Sequence, residues 1–335
     1  MNIQWKNIIG HQKVTGQLRL LQTEDRIPHA MLFCGSEGVG KNLAAEALAA
    51  ALLCHEPAEG QCCGECPACK ALLAGTHPDY FQLVPESSTK AARSIKIEAV
   101  RELQSGIARV PLLSGRRVVI IQDAEKMNEA AANCLLKTIE EPGGQVVFIL
   151  LTSAPAALLD TIVSRCMRVE FGILQPAELR EVLLRQGLSL SEAEALGAMA
   201  DGSAARAMLL HSPELEELRR GMLELAAEAG SLSPERILGQ ARELSGHSRE
   251  QLLQWLGFLA MIYRDMLILY SGSELPLYNQ SEIHRLSDML AKYPPGRLLA
   301  LLRLVQEYQK RLGSNVNVQL CLEGFFIRLN DLVEE

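Results

Sequence analysis

The stretch GSEGVGKN at residues 35–42 constrains this chain more than any other feature of its sequence. It lies between a short apolar run, HAMLFC at 29–34, and NLAAEALAAALLC at 42–54, which is rich in Ala and Leu and has no helix breaker. The order strand, glycine loop, helix is the context that a phosphate-binding loop of the type G-x-x-x-x-G-K-[ST] requires. The pattern therefore predicts an α/β core built around a phosphate loop.

The loop matches this motif at every fixed position except the last. Gly35, Gly40 and Lys41 occupy their expected places. The backbone at Gly38 and Gly40, together with the Lys41 side chain, can bind a nucleotide phosphate. Asn42 stands where a Ser or Thr hydroxyl normally holds Mg²⁺, and its amide is a poor substitute for that hydroxyl.

A second change affects the same ion. In a working nucleotide site, the next core strand ends on an acid that holds Mg²⁺. Here that strand is RRVVII at 116–121, and it is followed directly by Gln122, with Asp123 and Glu125 close behind. Hydrolysis is therefore not expected from this loop, whereas binding of ATP or ADP stays open. The alternative is a vestigial strand–helix turn that binds an adventitious anion at its helix N-terminus.

The rest of the first half alternates between strand-like and helix-like segments. Apolar, β-branched runs predict strands, and apolar residues at helical spacing predict helices, the last of them stopped by Pro142 and Gly143. Such alternation favours a doubly wound parallel sheet flanked by helices. Besides 116–121, strands are predicted at 79–85, 145–155 and 167–171, and helices at 96–110 and 128–142.

Strand signals end near residue 172, and a length of 335 residues suits two or three domains. Residues 175–210 indicate a small group of helices, and Pro213 opens a helical stretch that runs nearly to the end. We therefore predict three domains: an α/β core at 1–172, a small helical domain at 173–212 and an all-α domain at 213–335.

Within an insertion at 54–69, four cysteines share the spacing C-x8-C-x2-C-x2-C, namely Cys54, Cys63, Cys66 and Cys69. Two overlapping C-x2-C steps place thiolates on a tight turn, and a fourth from the end of the preceding helix completes a tetrahedral shell. Such a shell suits a closed, structural Zn²⁺ site. An iron–sulfur cluster is a second use of four thiolates, and reduced surface thiols are a third. Cys62 is a spare that can compete with Cys63.

Composition limits the partners and the compartment. The formal net charge is −7, so the chain as a whole is not a basic nucleic-acid binder. No stretch approaches the roughly 20 apolar residues of a membrane helix, and the N-terminus lacks an apolar signal-peptide core. A cytosolic protein is expected, in which nine Cys favour metal binding over disulfides. A basic patch at 88–101 is either a solvated surface or a phosphate contact to duplex DNA, and consists of Lys90, Arg93, Lys96 and Arg101.

One segment has a more specific likeness. LLDTIVSRCMRVEF at 158–171 resembles the Ser-Arg-Cys segment of bacterial clamp-loader subunits. Together with the four-cysteine insertion, THPDYF at 76–81 and AANCLLKTIEEP at 131–142, it makes the first 210 residues similar to the delta-prime subunits of the bacterial DNA polymerase III clamp loader. The remainder of the chain resembles that family only in being helical.

The resemblance implies a three-domain AAA+ protein, with an ATPase-like core, a small helical lid and a helical collar that joins five subunits into a ring. In that family this subunit is commonly a stator without ATPase activity of its own, within the DNA polymerase holoenzyme. Its partners there are motor subunits of the gamma/tau type, a delta subunit, the sliding clamp and primed DNA.

The resemblance also implies a role for Arg165, which would reach ATP held by the adjacent motor subunit and act as an arginine finger. Without the flanking pattern, Arg165 is interpreted as a surface charge or an ion-pair partner of Asp160 or Glu170. Active family members carry Gly-Ser-x-Arg in the lid, with an Arg that touches the nucleotide. In GSAARAM at 202–208, Ala205 takes that position and Arg206 follows one residue later, where a helical side chain is turned by about 100°.

Three functional hypotheses follow. The leading one is a non-hydrolysing, cytoplasmic clamp-loader stator with an arginine finger, structural zinc and a collar contact, which helps to load the sliding clamp on primed DNA. The second is an active ATPase of the same fold, in which Asn42 and Asp123 or Glu125 hold Mg²⁺. The third is a metal-dependent or redox-sensing module, which a closed shell of four thiolates does not favour.

Overall fold

The computed structural model describes residues 4–88, 91–141, 144–273, 275, 277–314 and 316–334. Lys90 of the basic patch and the predicted helix stop at Pro142 and Gly143 lie outside these residues. The chain divides into two compact units, one formed by 1–187 with 201–206 and the other by 188–200 with 207–335. The division into three domains near residues 172 and 212 stays a prediction.

A sheet and a hairpin account for the strands of the first unit, which are β1 (Ala30–Cys34), β2 (Tyr80–Leu83), β3 (Glu86–Ser88), β4 (Ala91–Ser94), β5 (Arg117–Ile121), β6 (Val146–Thr152) and β7 (Met167–Glu170). The sheet is parallel and its strand order is β2-β5-β6-β1-β7, so β1, which precedes the phosphate loop, lies inside the sheet. The hairpin pairs β3 with β4 and was not predicted from the sequence.

Helices cover both faces of this sheet, and in the first unit they are α1 (Gln12–Thr23), α2 (Lys41–Leu53), α3 (Pro67–Leu73), α4 (Ile97–Ile107), α5 (Glu129–Glu140), α6 (Asp160–Val163) and α7 (Pro176–Arg185). Successive residues of β1 face opposite layers, because Met31 and Phe33 pack with α2 whereas Leu32 packs with α4 and α5. A strand covered on both faces is buried at every position, which explains the continuous apolar run of β1. The predicted parallel α/β core is confirmed.

A buried carboxylate ties the edge of the sheet to α2. Asp79, which directly precedes β2, is fully buried and accepts hydrogen bonds from the backbone amides of residues 112–114 at 2.7–2.8 Å. Burial alone raises the pKa of Asp79, but these three bonds outweigh it and hold the pKa below its ordinary value. The Ser114 hydroxyl donates to the carbonyl of Leu53, the last residue of α2, at 2.7 Å. The loop before β5 therefore anchors the C-terminal end of α2.

The remaining helices are α8 (Leu190–Met199), α9 (Ala204–Leu210), α10 (Pro213–Glu228), α11 (Pro234–Leu244), α12 (Arg249–Ser271), α13 (Ile283–Met289), α14 (Pro295–Leu312) and α15 (Val318–Glu334). The described part of the second unit contains no strand. Its core includes Trp255, whose ring meets Phe325 and Phe326 edge-on at 5.7 and 5.5 Å between centroids. The predicted all-α character of the C-terminal region is confirmed.

One helix of the second unit is long and apolar enough to cross a membrane by length and composition. It is α12, over residues Gln251–Ser271, and 56% of its most apolar window is buried inside the protein. The expectation that no stretch approaches a membrane helix is therefore wrong for α12 by length and composition. A buried core helix passes the same test, so α12 is weak evidence for a membrane span.

Candidate functional site

The phosphate loop has the backbone that its sequence predicts. Gly40 adopts φ +105°, in the left-handed region that favours glycine, and directly precedes α2. The Lys41 ammonium is turned onto the loop itself, where it donates to the carbonyls of Gly35 at 2.6 Å and Ser36 at 2.8 Å. Burial lowers the pKa of Lys41, and nearby acids such as Glu125 oppose that shift. The carbonyls of the loop therefore accept hydrogen bonds from the Lys41 ammonium within the chain.

The two positions at which Mg²⁺ ligands are expected hold amides that bond to each other. Gln122 donates from its side-chain nitrogen to the Asn42 amide oxygen at 2.9 Å, and Asn42 donates to a Glu46 carboxylate oxygen at 3.0 Å. Glu46 lies one helical turn after Asn42 on α2, and Gln122 follows β5. The structure thus brings together the two departures from the motif in one chain of hydrogen bonds.

The acids that follow β5 are engaged elsewhere. Asp123 adopts φ +46° and its carboxylate pairs with Lys126 at 2.8 Å. Glu125 accepts from the Ser153 hydroxyl at 2.7 Å and from the Ser153 amide at 3.1 Å. Burial raises the pKa of Glu125, but the bonds from Ser153 outweigh burial and the pKa lies below its usual value.

A cavity of about 270 Å³ lies beside the loop. Lys41, Asn42, Gln122 and Asp123 line it, together with Gly38 and Gly40 of the loop. The cavity therefore collects the predicted nucleotide-binding residues, with the exception of Gly35.

The start of α9 packs against the phosphate loop. Gly38 adopts φ +76°, and a Cβ there would lie 2.4 Å from the Ser203 hydroxyl and 2.5 Å from the Ala205 Cβ. Only glycine fits this contact. Ala205 therefore occupies the space next to the loop, whereas Arg206 forms an ion pair with Asp201 at 2.6 Å.

Arg165 lies in the turn between α6 and β7 and is held by contacts at the protein surface. Its guanidinium pairs with Glu140 at 2.6 Å and donates to the Thr161 carbonyl at 3.0 Å. The side chains of Arg165 and Glu140 are 40% and 39% exposed, respectively. The ion-pair partner is thus the end of α5, rather than Asp160 or Glu170.

The four predicted cysteine ligands converge. Their sulfur atoms lie within 4.8 Å of one another, with Cys54–Cys63 at 3.5 Å and both Cys54–Cys66 and Cys63–Cys69 at 3.9 Å. A tetrahedral zinc ion with Zn–S bonds of about 2.3 Å places its sulfurs about 3.8 Å apart. The donor set therefore fits a tetrahedral metal ion such as zinc. Cys62 is buried in the core and is not one of the four.

Local backbone contacts prepare these sulfurs for metal binding. The amide of Cys63 points at the Cys54 sulfur at 3.3 Å, that of Cys66 at the Cys63 sulfur at 3.3 Å, and that of Cys69 at the Cys66 sulfur at 3.4 Å. Burial raises the pKa of Cys66, but hydrogen bonds from the Cys69 backbone and other neighbours lower it to about 6. Thiolates are the form that binds metal, and this environment favours the thiolate at Cys66, whereas burial raises the pKa of Cys54 and that of Cys69.

The cysteine insertion is also braced against the N-terminal segment. The Trp5 indole donates to the Gly60 carbonyl at 2.8 Å, and Arg19 on α1 donates to the Glu59 carbonyl at 3.0 Å. Gly60, at φ +74°, packs so closely that a Cβ would lie 2.7 Å from the Arg19 carbonyl oxygen. These contacts make the insertion part of the folded core.

Sequence reasoning missed three residues of these sites. Glu46 orients Asn42, Glu140 holds Arg165, and Ser203 packs on Gly38. The i, i+4 spacing of Asn42 and Glu46 on one helix predicts that the two side chains are neighbours. The other two contacts join segments distant in sequence and had no local signal.

A parallel sheet in which β1 leads through a phosphate-loop motif into α2 defines an α/β core of P-loop type. Two sequence models, described as DNA polymerase III, delta subunit, and its C-terminal region, match residues 10–175 and 225–331. DNA polymerase III subunit delta' of Bacillus subtilis is 31% identical over 99% of this chain and all of its own length. The chain therefore belongs to the family of DNA polymerase III delta' subunits.

Two further relatives carry the same name. The delta' subunit of Escherichia coli is 29% identical over 91% of this chain and 90% of its own length. That of Pseudomonas aeruginosa is 43% identical over 199 residues, which span 58% of this chain and 60% of the relative.

Proposed function

We propose that this chain is a clamp-loader stator: it hydrolyses no ATP itself and supplies Arg165 to the ATP of a neighbouring motor subunit. The observation that carries the proposal is the hydrogen bond between Asn42 and Gln122, which occupies the two side chains that a hydrolysing site would need for Mg²⁺. Membership of the delta' family supports the clamp-loader role, in which the assembly places a sliding clamp on primed DNA.

The surroundings of Arg165 suit transfer to a neighbour. An ion pair between half-exposed side chains, such as Arg165 with Glu140, contributes about 0–1 kcal/mol. Exchange of Glu140 for triphosphate oxygens therefore costs little, and a guanidinium matches the geometry of phosphate. In the proposed reaction Arg165 stabilises charge on the transferred phosphoryl group, and Mg²⁺ and the attacking water belong to the motor subunit.

The four cysteines have a structural role in this proposal. Cys54, Cys63, Cys66 and Cys69 would hold one zinc ion, whose shell they complete without an open position for substrate. Cys54 follows the last residue of α2, so the metal would fix the end of the helix that begins at the phosphate loop. The zinc centre would thereby keep the core rigid while the assembly changes nucleotide state.

The proposed partners are motor subunits of the gamma/tau type and a delta subunit, in a five-membered ring closed by the C-terminal helices at 213–335. Contact with primed DNA would include Lys96 and Arg101, which are exposed on and beside α4. Replication of chromosomal DNA places this assembly in the bacterial cytoplasm.

A second candidate is an active ATPase of the same fold. The cavity of about 270 Å³ beside Lys41, lined also by Asp123, favours it because a nucleotide phosphate and an acid could meet there. In that case Asp123 would leave Lys126 and hold Mg²⁺ in place of Gln122.

Arg165→Ala tests the stator proposal in the complete assembly of this chain, motor subunits, delta subunit, clamp and primed DNA. Turnover at the motor site that faces Arg165 should fall by about 10³-fold or more, the usual contribution of an arginine finger. Single-turnover ATP hydrolysis and clamp loading measure this loss. The isolated wild-type chain should hydrolyse no ATP.

Arg168→Ala is the matched control, because Arg168 is also exposed and ion-paired, to Glu170 at 2.6 Å, only three residues away. It should leave turnover within about twofold of wild type, as surface ion pairs contribute little. Unchanged turnover in Arg165→Ala would refute the finger. ATP hydrolysis by the isolated chain that is lost in Lys41→Ala would establish the second candidate.

A further inference from the structure

The donor and acceptor order around Asn42 is set by one carboxylate. Glu46 in its ionised form can only accept hydrogen bonds, so the Asn42 nitrogen must face it. The Asn42 oxygen then faces Gln122, which must present its own NH₂ group. The orientations of both amides therefore follow from Glu46 and not from the placement of amide atoms alone.

This order does not fit Mg²⁺. The ion takes oxygen ligands at about 2.0–2.1 Å in a nearly ideal octahedron. At the two ligand positions of this loop, the Asn42 oxygen is engaged by Gln122, and Gln122 presents hydrogen-bond donors that repel a cation. Lys41 is likewise satisfied by the carbonyls of Gly35 and Ser36. The side chains of Lys41, Asn42 and Gln122 thus each have a partner within the protein.

We infer that the hydrogen-bonded chain Gln122–Asn42–Glu46, here called the amide clasp, is the device that makes this phosphate loop unable to hold a divalent cation. The clasp also links the end of β5 to the first turns of α2, 80 residues apart in sequence. The two positions that would hold Mg²⁺ in a nucleotide site, Asn42 and Gln122, here connect a strand to a helix. The inference rests on the proposed non-hydrolysing role and assigns that role to three side chains.

The clasp predicts that two substitutions restore metal-dependent nucleotide binding. Asn42→Thr supplies the missing hydroxyl, and Gln122→Asp supplies a carboxylate directly after β5. The probe is a fluorescent, non-hydrolysable ATP analogue, titrated with the isolated full-length chain in MgCl₂ and in EDTA. The double variant should bind at least about tenfold more tightly with Mg²⁺ than without it, because a ligating carboxylate and hydroxyl favour the charged complex. Wild type should show the same affinity in both buffers.

The matched control is Asn42→Thr with Gln122→Asn, which changes the same two positions without adding a carboxylate. It should bind the analogue equally in MgCl₂ and in EDTA, because a hydroxyl without a carboxylate directly after β5 does not complete the Mg²⁺ ligands. Lys41→Ala in the double-variant background should abolish the gain, which places the binding at this loop. As a second readout, MgCl₂ with the analogue at about 100 times its Kd should raise the Tm of the double variant by about 5 °C or more, and that of wild type by none.

Mg²⁺-dependent binding by wild type would overturn the inference, and so would a folded double variant that gains none. If the double variant fails to fold, the wild-type titration still tests the inference. The single variant Gln122→Glu then replaces the double variant, with the same expected gain in Mg²⁺-dependent binding. These outcomes are separate from the fate of the proposed function. A wild-type chain that binds Mg²⁺–nucleotide but does not hydrolyse it would refute the clasp, whereas the Arg165→Ala test in the assembly would be unaffected.

Discussion

The two ends of α2 carry two ligand motifs with opposite outcomes. At its C-terminal end, Cys54 joins three further cysteines whose sulfurs lie at the spacing of a tetrahedral metal shell. At its N-terminal end, the phosphate loop keeps its glycine backbone, but Asn42 and Gln122 bond to each other. The C-terminal end of α2 therefore carries a full set of metal donors and no open position for catalysis. The N-terminal end has the backbone of a phosphate loop but lacks the Mg²⁺ ligands.

The difference separates backbone geometry from side-chain chemistry. Gly38 and Gly40 maintain the loop because its left-handed conformations and its contact with Ala205 depend on the absence of a side chain. Those requirements hold whether or not a nucleotide binds. The cysteine centre differs because its backbone turns only direct the sulfurs to one point, and four sulfurs without a cation leave that point unsatisfied.

The largest expected effect comes from removal of the metal. Structural zinc contributes roughly 10–16 kcal/mol of apparent binding free energy in small zinc domains. Chelation, or Cys66→Ser, should therefore lower the Tm of the first unit by more than about 10 °C and abolish the zinc content, which is expected to be one ion per chain. Calorimetry and elemental analysis of the full-length protein measure both effects.

Cys62→Ser is the control for this prediction. Cys62 is buried beside the four ligands but is not among them, so its replacement should leave the zinc content unchanged. Equal stability of zinc-loaded and chelated protein would show that metal binding at the cysteine end of α2 contributes nothing to folding.

A smaller effect is expected at Asp79, which anchors the cysteine end of α2 through Ser114. Asp79→Ala leaves three backbone amides without their acceptor and removes the carboxylate that lies 3.8 Å from the buried guanidinium of Arg117, so we expect a loss of about 3–5 kcal/mol in the free energy of unfolding. Chemical denaturation measures this loss. Ser114→Ala removes only the bond to Leu53 and should cost about 1 kcal/mol.

Asp79 also predicts a dependence on pH. The pKa of Asp79 in the folded protein lies below its value in the unfolded chain, and the unfolded value is near 3.9. Its contribution is therefore present above about pH 4 and is lost as the pH falls through the folded value. Wild type should lose stability in acid more steeply than Asp79→Asn does. Parallel pH profiles of the two proteins would mean that the Asp79 carboxylate contributes nothing as an anion.

A small effect is also expected at the loop, from Lys41→Ala. The ammonium makes two hydrogen bonds to loop carbonyls, so its loss should lower the free energy of unfolding by about 1–2 kcal/mol. ATP turnover by the complete assembly should stay within about twofold of wild type, in contrast to Arg165→Ala. A tenfold fall in turnover would show that this loop uses nucleotide. The two ends of α2 would then both carry working ligand sites.

Sequence patterns predicted much of the core. The strands at 30–34, 117–121 and 146–152 were predicted because both of their faces are buried and their apolar runs are continuous. The hairpin of β3 and β4 was missed, since its residues carry no apolar pattern. Helix α1 was also not predicted, as only Leu18 of its residues is buried. The resemblance of 158–171 to a known segment identified Arg165, whereas its bond to Glu140 had no signal in the sequence.

The sequence by itself determined the local features of this protein. The glycine loop between strand and helix, and the four cysteines within 16 residues at 54–69, are short-range patterns whose geometry depends on neighbouring residues. Only the tertiary structure decided what the loop does with its metal position. Gln122 meets Asn42 because β5 and β1 lie in the same parallel sheet, with β6 between them. Strand order results from packing of the whole core, so a contact between residues 80 positions apart could not be derived from either segment alone.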